Sequence, residues 1–149
     1  DVVAERFELL GRRGHRVTTV GVQRDFARRA QHGADAQASG LAAALLETSA
    51  RRLVTVNLST QEGETDGFTP QTHLEVLAAY APDLTVDAVL ADPSVIDDVK
   101  GLERLVGDLG GELMIADVAS ADGTARHDPA RLAQAYAAVL GVAGSLPWR

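Results

Sequence analysis

Leu53-Val54-Thr55-Val56-Asn57-Leu58, then Ser59-Thr60-Gln61-Glu62-Gly63-Glu64-Thr65-Asp66-Gly67-Phe68, then Thr69-Pro70: this stretch sets the pattern for most of the chain. The first six residues carry no charge and are mainly β-branched or aliphatic, which reads as a short buried strand. A polar loop follows. Thr69 and Pro70 then supply an N-cap hydroxyl and a first-turn proline for a helix through about Ala81. The same grammar recurs twice. Val86-Asp87-Ala88-Val89-Leu90 is the next strand, and Asp92-Pro93 starts a helix that strings Val95, Val99, Leu102, Val106 and Leu109 along one stripe, with Asp97, Asp98 and Glu103 directed largely elsewhere. Gly110-Gly111 ends it. Leu113-Met114-Ile115-Ala116-Asp117-Val118 is a third strand, and Asp128-Pro129 begins a last helix bearing Leu132, Tyr136 and Val139. Near-continuous apolar strands alternating with helices specify a parallel sheet covered on both faces. The expected fold is α/β, a Rossmann-like three-layer parallel sheet.

The first half is less regular. A helix at about 2–11, a strand at Val17–Val22 and a helical run Leu41–Leu46 are expected there. Between them, residues 23–39 hold Phe26 as the sole large apolar side chain and offer little to bury. The chain has 149 residues, 46% of them apolar and 23% charged, which fits one domain with a core of its own. Beginning at Asp1, it is read as a fragment or a processed product. No apolar run approaches the ~18 residues that span a bilayer, and no signal-peptide pattern opens the chain; a cytoplasmic location is expected, without a membrane partner. The lack of cysteine excludes disulfides, Cys-ligated zinc, iron–sulfur clusters and thiol nucleophiles. Charge is uneven: residues 1–52 carry nine Arg against six acids, net +3, and residues 53–149 carry five basic residues against fifteen acids, net −10. An acidic body with a basic, aromatic-poor end is poorly suited to nucleic acid; the run Arg24–Arg29 reads as a solvated helix face.

In an open parallel sheet, ligands gather beyond the carboxyl ends of the strands. Here the loops at that end are Ser59–Phe68, Ala91–Asp92 and Ala119–His127, the first and third longer than the usual two to six residues. In the first, Gly63 and Gly67 permit tight turns that leave backbone N–H groups open to an oxyanion. Asn57, Thr60, Gln61 and Thr65 are neutral donors and acceptors, while Glu64 and Asp66 can accept from a sugar hydroxyl or hold a Mg²⁺ that bridges phosphates. A solvated loop whose Asp and Thr cap turns is the competing reading. In the third, Arg126 precedes a helix start, where the dipole favours an anion rather than a cation. A shared anionic ligand such as a diphosphate explains it, as does a surface pairing with Asp122 or Asp128. His127 reads as a turn residue, His73 as a helix histidine, and Asp92 as a helix cap. His15, His32, His73 and His127 show no paired metal spacing. A Ser59–His127–Asp117 triad is set aside, because no nucleophile-elbow pattern flanks Ser59. Trp148 reads as a tail anchor.

The segment from Asn57 to Thr69 resembles the N-x-x-T-Q-x-G-E-T-D-G-[FY] signature of the gluconeogenesis factor family, the YvcK-type proteins related in fold to the CofD 2-phospho-L-lactate transferases. The likeness continues through His73-Leu74-Glu75, Asp87-Ala88-Val89-Leu90-Ala91-Asp92-Pro93 and Arg126-His127-Asp128, and covers about residues 40–141, roughly the C-terminal third or more of a family member. It implies a Rossmann-like protein that binds a nucleotide sugar, UDP-N-acetylglucosamine, and influences carbon metabolism, cell shape and wall synthesis. Residue by residue it implies ligand contacts at Asn57, Thr60, Gln61, Gly63, Glu64, Thr65, Asp66, Gly67 and Arg126, with Arg126 the sharpest. No catalytic residue follows from it. An enzyme reading, CofD-like phospholactyl transfer from a nucleotide donor to a deazaflavin precursor with Mg²⁺ as cofactor, lacks the transferase loop and an evident general base. A non-binding remnant is a third reading, and a homo-oligomer is compatible with all three.

The family's glycine-rich first turn and its later Gly-Pro-Gly-Ser segment are missing. Where the second belongs, the chain reads Gly21-Val22-Gln23-Arg24-Asp25-Phe26-Ala27-Arg28-Arg29-Ala30, and the likeness resumes near Gly40-Leu41. Residues 1–39 are therefore expected to be foreign to the family, through a shifted reading frame or a fusion, leaving residues 40–149 as the family portion. Without the glycine segment, a ligand is held more weakly by roughly 1.5–3 kcal/mol for each charge-assisted hydrogen bond that segment would have made. Translating the coding DNA in its other two frames should recover the glycine segment upstream of Gly40; its absence from both frames removes the frameshift explanation.

Overall fold

The computed structural model describes residues 17–21, 43, 45–58 and 69–141. They form a parallel sheet of four strands, β1 (Val17–Gly21), β2 (Arg51–Thr55), β3 (Ala88–Ala91) and β4 (Glu112–Ile115), in the spatial order β1-β2-β3-β4. The register is continuous: Val20 lies beside Val54, Val54 beside Val89, and Val89 beside Leu113. The helices α1 (Pro70–Tyr80), α2 (Val99–Asp108) and α3 (Pro129–Val139) accompany the sheet. The α/β expectation holds. The expected N-terminal helix, the stretch around Phe26 and Trp148 lie outside the described residues, whereas the expected strand near Val17 is present as β1.

Burial on both faces of β2 and β3 organises the layers. Side chains alternate across a strand. Accordingly Val54, Val56, Val89, Ala91 and Leu113 face one side, where they pack with Leu74 and Leu77 of α1 and Leu102 and Val106 of α2. Leu53, Ala88, Leu90 and Met114 face the other, against Leu132, Ala135, Tyr136 and Val139 of α3. The crossovers β2–α1–β3 and β3–α2–β4 step the same way across the sheet, so a common right hand lays α1 and α2 on one face. Helix α3 returns over the opposite face and completes three layers. A hydroxyl pair, Thr55 Oγ1 to Tyr136 Oη at 2.9 Å, satisfies a polar position on the α3 side.

Local chemistry explains most boundaries. Thr69 Oγ1 accepts from Thr72 N at 3.3 Å, and Pro70 occupies the first turn of α1. Arg52 fastens the start of β2: its Nε donates to Leu45 O (2.8 Å), Nη1 to Thr85 Oγ1 (3.1 Å) and Nη2 to Thr48 O (3.1 Å). The helix expected from Asp92-Pro93 is instead divided. A 3₁₀ turn covers Pro93–Val95, the chain extends through Ile96, and α2 starts afresh with Asp98 Oδ1 accepting from Gly101 N at 3.0 Å. The second cap breaks the proposed stripe, and Val99 is 41% exposed rather than buried with Leu102. The strands also shift by a few residues. β2 starts at Arg51 and stops at Thr55, and β4 stops at Ile115, before the Val118 end read from its apolar run.

Helix α2 ends in a Schellman arrangement: Gly111 N donates to Val106 O (3.0 Å) and Gly110 N to Gly107 O (2.9 Å), with Gly110 at φ +83°. Gly111 meets a different demand. A Cβ there would stand 2.9 Å from Val86 O, so the α2–β4 turn needs a bare backbone to approach β3. Gly110→Ala should cost about 1–2 kcal/mol, the left-handed penalty of a Cβ. Gly107→Ala, within the helix and with open space around a Cβ, should gain about 0.8–1 kcal/mol. Urea denaturation of the two variants checks the opposite signs.

Candidate functional site

The carboxyl ends of β2, β3 and β4 form a polar rim. Asn57 lies two residues past the end of β2 and is exposed. The loop after β4 folds back on itself: Ala119 and His127 form an antiparallel bridge, and Ser120 N donates to Arg126 O at 2.8 Å. Its tip turns at Gly123, φ +77°, beside Asp122, whose Oδ1 accepts from Thr124 Oγ1 (2.6 Å) and Thr124 N (2.9 Å). Those bonds from Thr124 hold the Asp122 carboxyl below its ordinary value. The loop is joined to β2 through His127, whose Nε2 lies 3.2 Å from Val56 O. A carbonyl only accepts, so Nε2 carries the proton. The bond joins the residue after Arg126 to the residue before Asn57 at the carboxyl rim.

Asp92, immediately past β3, is 2% exposed and sits under this loop. Its Oδ2 accepts from Val118 N and Ala119 N, each at 2.8 Å, and its Oδ1 from Ser94 N (2.9 Å) and Ser94 Oγ (2.6 Å). Burial works to raise its pKa, but the bonds from Ser94, Val118 and Ala119 outweigh it and hold the carboxyl below the ordinary value. The cap expected at Asp92 is therefore half of its role; the other half joins two loops 26 residues apart. On the neighbouring loops, Gln71 Nε2 at the start of α1 donates to Asp98 O at the start of α2 (3.0 Å).

Of the residues assigned to a ligand from sequence, Asn57 and Arg126 are described. Thr60, Gln61, Gly63, Glu64, Thr65, Asp66 and Gly67 lie outside the described residues, as does Ser59. The Arg126 side chain is exposed and forms no ion pair among the described residues. The pairings expected with Asp122 and Asp128 are replaced by local bonds: Asp122 engages Thr124, and Asp128 Oδ1 accepts from Ala130 N (2.9 Å) and Arg131 N (3.0 Å). Asp128 thereby satisfies first-turn amides of α3 that an anionic ligand was expected to meet. Asp117 is bound to Arg131 Nη1 at 2.7 Å, and the same nitrogen reaches Ala119 O at 3.2 Å. Asp117 pairs with Arg131 and His127 with Val56 O, not with each other, which agrees with setting aside the Ser59–His127–Asp117 triad. His73 Nδ1 donates to Thr69 O at 3.0 Å, the helix-histidine role expected of it. Among the described residues no cluster of three His, Asp or Glu is placed to hold a metal, and the two carboxylates named for Mg²⁺, Glu64 and Asp66, are outside them. A separate hollow of about 500 Å³ opens at the amino ends of the strands, lined by Arg51, Asp87, Glu112, Leu113 and Met114 among others.

Sequence reasoning did not foresee Asp92 as a joint between loops, nor His127 as one between Arg126 and β2. A buried strand ending in an acid, Ala91-Asp92, was the available signal; its partners are too remote in sequence to be read from spacing.

The fold and the rim together define a partial Rossmann-like α/β domain with its polar loops at the carboxyl edge of the sheet. No family model matches the chain. Over 97 residues it is 44% identical to the protein named "Putative gluconeogenesis factor" from Mycobacterium tuberculosis (strain H37Rv), a match covering 63% of this chain and 28% of that protein. Over 99 residues it is 40% identical to the protein of the same name from Mycobacterium leprae, covering 64% of this chain and 27% of that protein. The matched portion of the chain is thus related to the gluconeogenesis factors, and the chain spans a little over a quarter of the length of these curated relatives. Among the described residues no helix is long and apolar enough to cross a membrane.

The Asp92 carboxylate yields a signed pH dependence. Its folded pKa is lowered, so its contribution is full above the unfolded value of about 3.9 and is lost as pH falls through the folded value. Asp92→Asn should lower stability by about 2 kcal/mol at neutral pH. The gap between wild type and variant should narrow on acidification below about pH 4. Urea titrations at several pH values check both; a gap independent of pH would show that the charge is not what matters.

Proposed function

We propose that this chain is a portion of a nucleotide-sugar-binding regulator of the gluconeogenesis factor type, which takes UDP-N-acetylglucosamine at the carboxyl rim of its sheet. The observation that supports this most is the bond from His127 Nε2 to Val56 O. It joins the residue that follows Arg126 to the residue that precedes Asn57, with which the segment carrying the Gly-Glu-Thr-Asp-Gly signature begins. A guanidinium with no ion-pair partner among the described residues suits a diphosphate, which it can grip with two parallel N–H bonds. Asn57 and the signature side chains suit the neutral hydroxyl and amide groups of a sugar. Effects on carbon metabolism, cell shape and wall synthesis, in a cytoplasmic setting, belong to this reading as what the resemblance of the Asn57–Thr69 segment to the family implies.

A thermal-shift comparison of UDP-N-acetylglucosamine, GDP and GTP, each with and without Mg²⁺, tests it. Stabilisation by the UDP-sugar alone is expected. A response confined to GDP or GTP with Mg²⁺ would favour a CofD-like transferase, and silence throughout would favour a remnant that no longer binds. Arg126→Ala should abolish the UDP-sugar shift by weakening binding about 1.5–3 kcal/mol while leaving the circular dichroism spectrum unchanged. An undiminished shift would remove Arg126 from the site.

A further inference from the structure

We infer that Asp92 is the positioning residue of the rim: it sets where Arg126 stands by holding the base of the loop that carries it. This rests on the nucleotide-sugar reading for its consequence, but the clamp itself is a matter of geometry. A carboxylate only 2% exposed is costly unless its lone pairs are filled, and here one oxygen is given wholly to Val118 N and Ala119 N, both at 2.8 Å. Capping the 3₁₀ turn needs only the other oxygen, which serves Ser94. Ala119 is also the residue that bridges to His127, next to Arg126. From Asp92 the linkage therefore runs through the Ala119–His127 bridge, which is held by Ser120 N donating to Arg126 O and Asp128 N donating to Val118 O, each at 2.8 Å, and on through His127 Nε2 to Val56 O, tying together the ends of β2, β3 and β4. Charged acceptors make the stronger hydrogen bonds, and two consecutive amides on one oxygen fix both position and direction of the strand-to-loop turn. Neither property is needed for a cap.

Two substitutions separate the roles. Asp92→Ser keeps an N-cap hydroxyl for Ser94 N but is too short and too poor in acceptors to hold the amides of residues 118 and 119. Ser94→Ala removes only the hydroxyl on the capping oxygen. Hydrogen exchange should rise in Asp92→Ser at residues 118–127 while the amides of β2 and β3 stay protected, and should be unaltered there in Ser94→Ala. This arm needs no ligand; protection retained at 118–127 in Asp92→Ser overturns the clamp. With UDP-N-acetylglucosamine as probe, at a temperature where circular dichroism shows every variant folded, Asp92→Ser should bind about tenfold or more weakly, and Ser94→Ala as wild type. Combined with Arg126→Ala, Asp92→Ser should weaken binding no further, because both act through one guanidinium; additive effects would overturn the positioning role. Wild type that exchanges as expected but ignores the probe would count against the ligand class and leave the clamp standing. Asp92→Thr, which likewise keeps only a short capping hydroxyl, carries the same measurements if Asp92→Ser does not fold.

Discussion

Strand β3 is buried from end to end on both faces: Ala88, Val89, Leu90 and Ala91 are all withdrawn from water. A strand in that position needs hydrogen-bonded neighbours on either side and an apolar layer above and below. Its edges are met by β2 and β4, and its faces by α1 with α2 and by α3. Each fully buried Leu or Val in those layers contributes roughly 1.5–3 kcal/mol relative to exposure. Connections therefore run over the rims, since a loop inside either layer would strand its backbone polar groups. The polar chemistry of the molecule is confined to the ends of the strands by this one constraint.

At the carboxyl rim a second rule operates. Helix starts are natural anion sites, yet each helix start here is partly satisfied by its own side chain: Thr69 for α1, Asp98 for α2 and Asp128 for α3. Two of those caps are carboxylates, which oppose an anion at the same place. An anionic ligand at this rim would have to be met instead by side chains and loop amides, and Arg126 is the exposed cation of the loop after β4. That shifts the weight from helix dipoles to the positions of a few loops. Bonds between loops, from Asp92 to Val118 and Ala119, from His127 to Val56 and from Gln71 to Asp98, then become the means of fixing geometry.

The strand order rises steadily from β1 to β4, so the described sheet contains no point at which the order reverses. In doubly wound sheets the ligand crevice forms at such a reversal. Strand β1 comes from the stretch expected to be foreign to the family, and it nonetheless extends the sheet in register with β2.

Sequence by itself determined the alternation of buried strands and helices, because hydrophobic period and cap-plus-proline starts are local signals carried by neighbouring residues. Thr69-Pro70 and Asp128-Pro129 start helices as read. Asp92-Pro93 does not, since Asp98 supplies a competing cap that the stripe of apolar residues concealed. The motif from Asn57 onward pointed to a family and to a rim. Which rim residues meet was decided only by tertiary structure. Asp92 finds its amides 26 residues away and His127 finds Val56 O 71 residues away. Such partners are chosen by the parallel register that lays the strand ends side by side, a property of the whole sheet that no local pattern encodes.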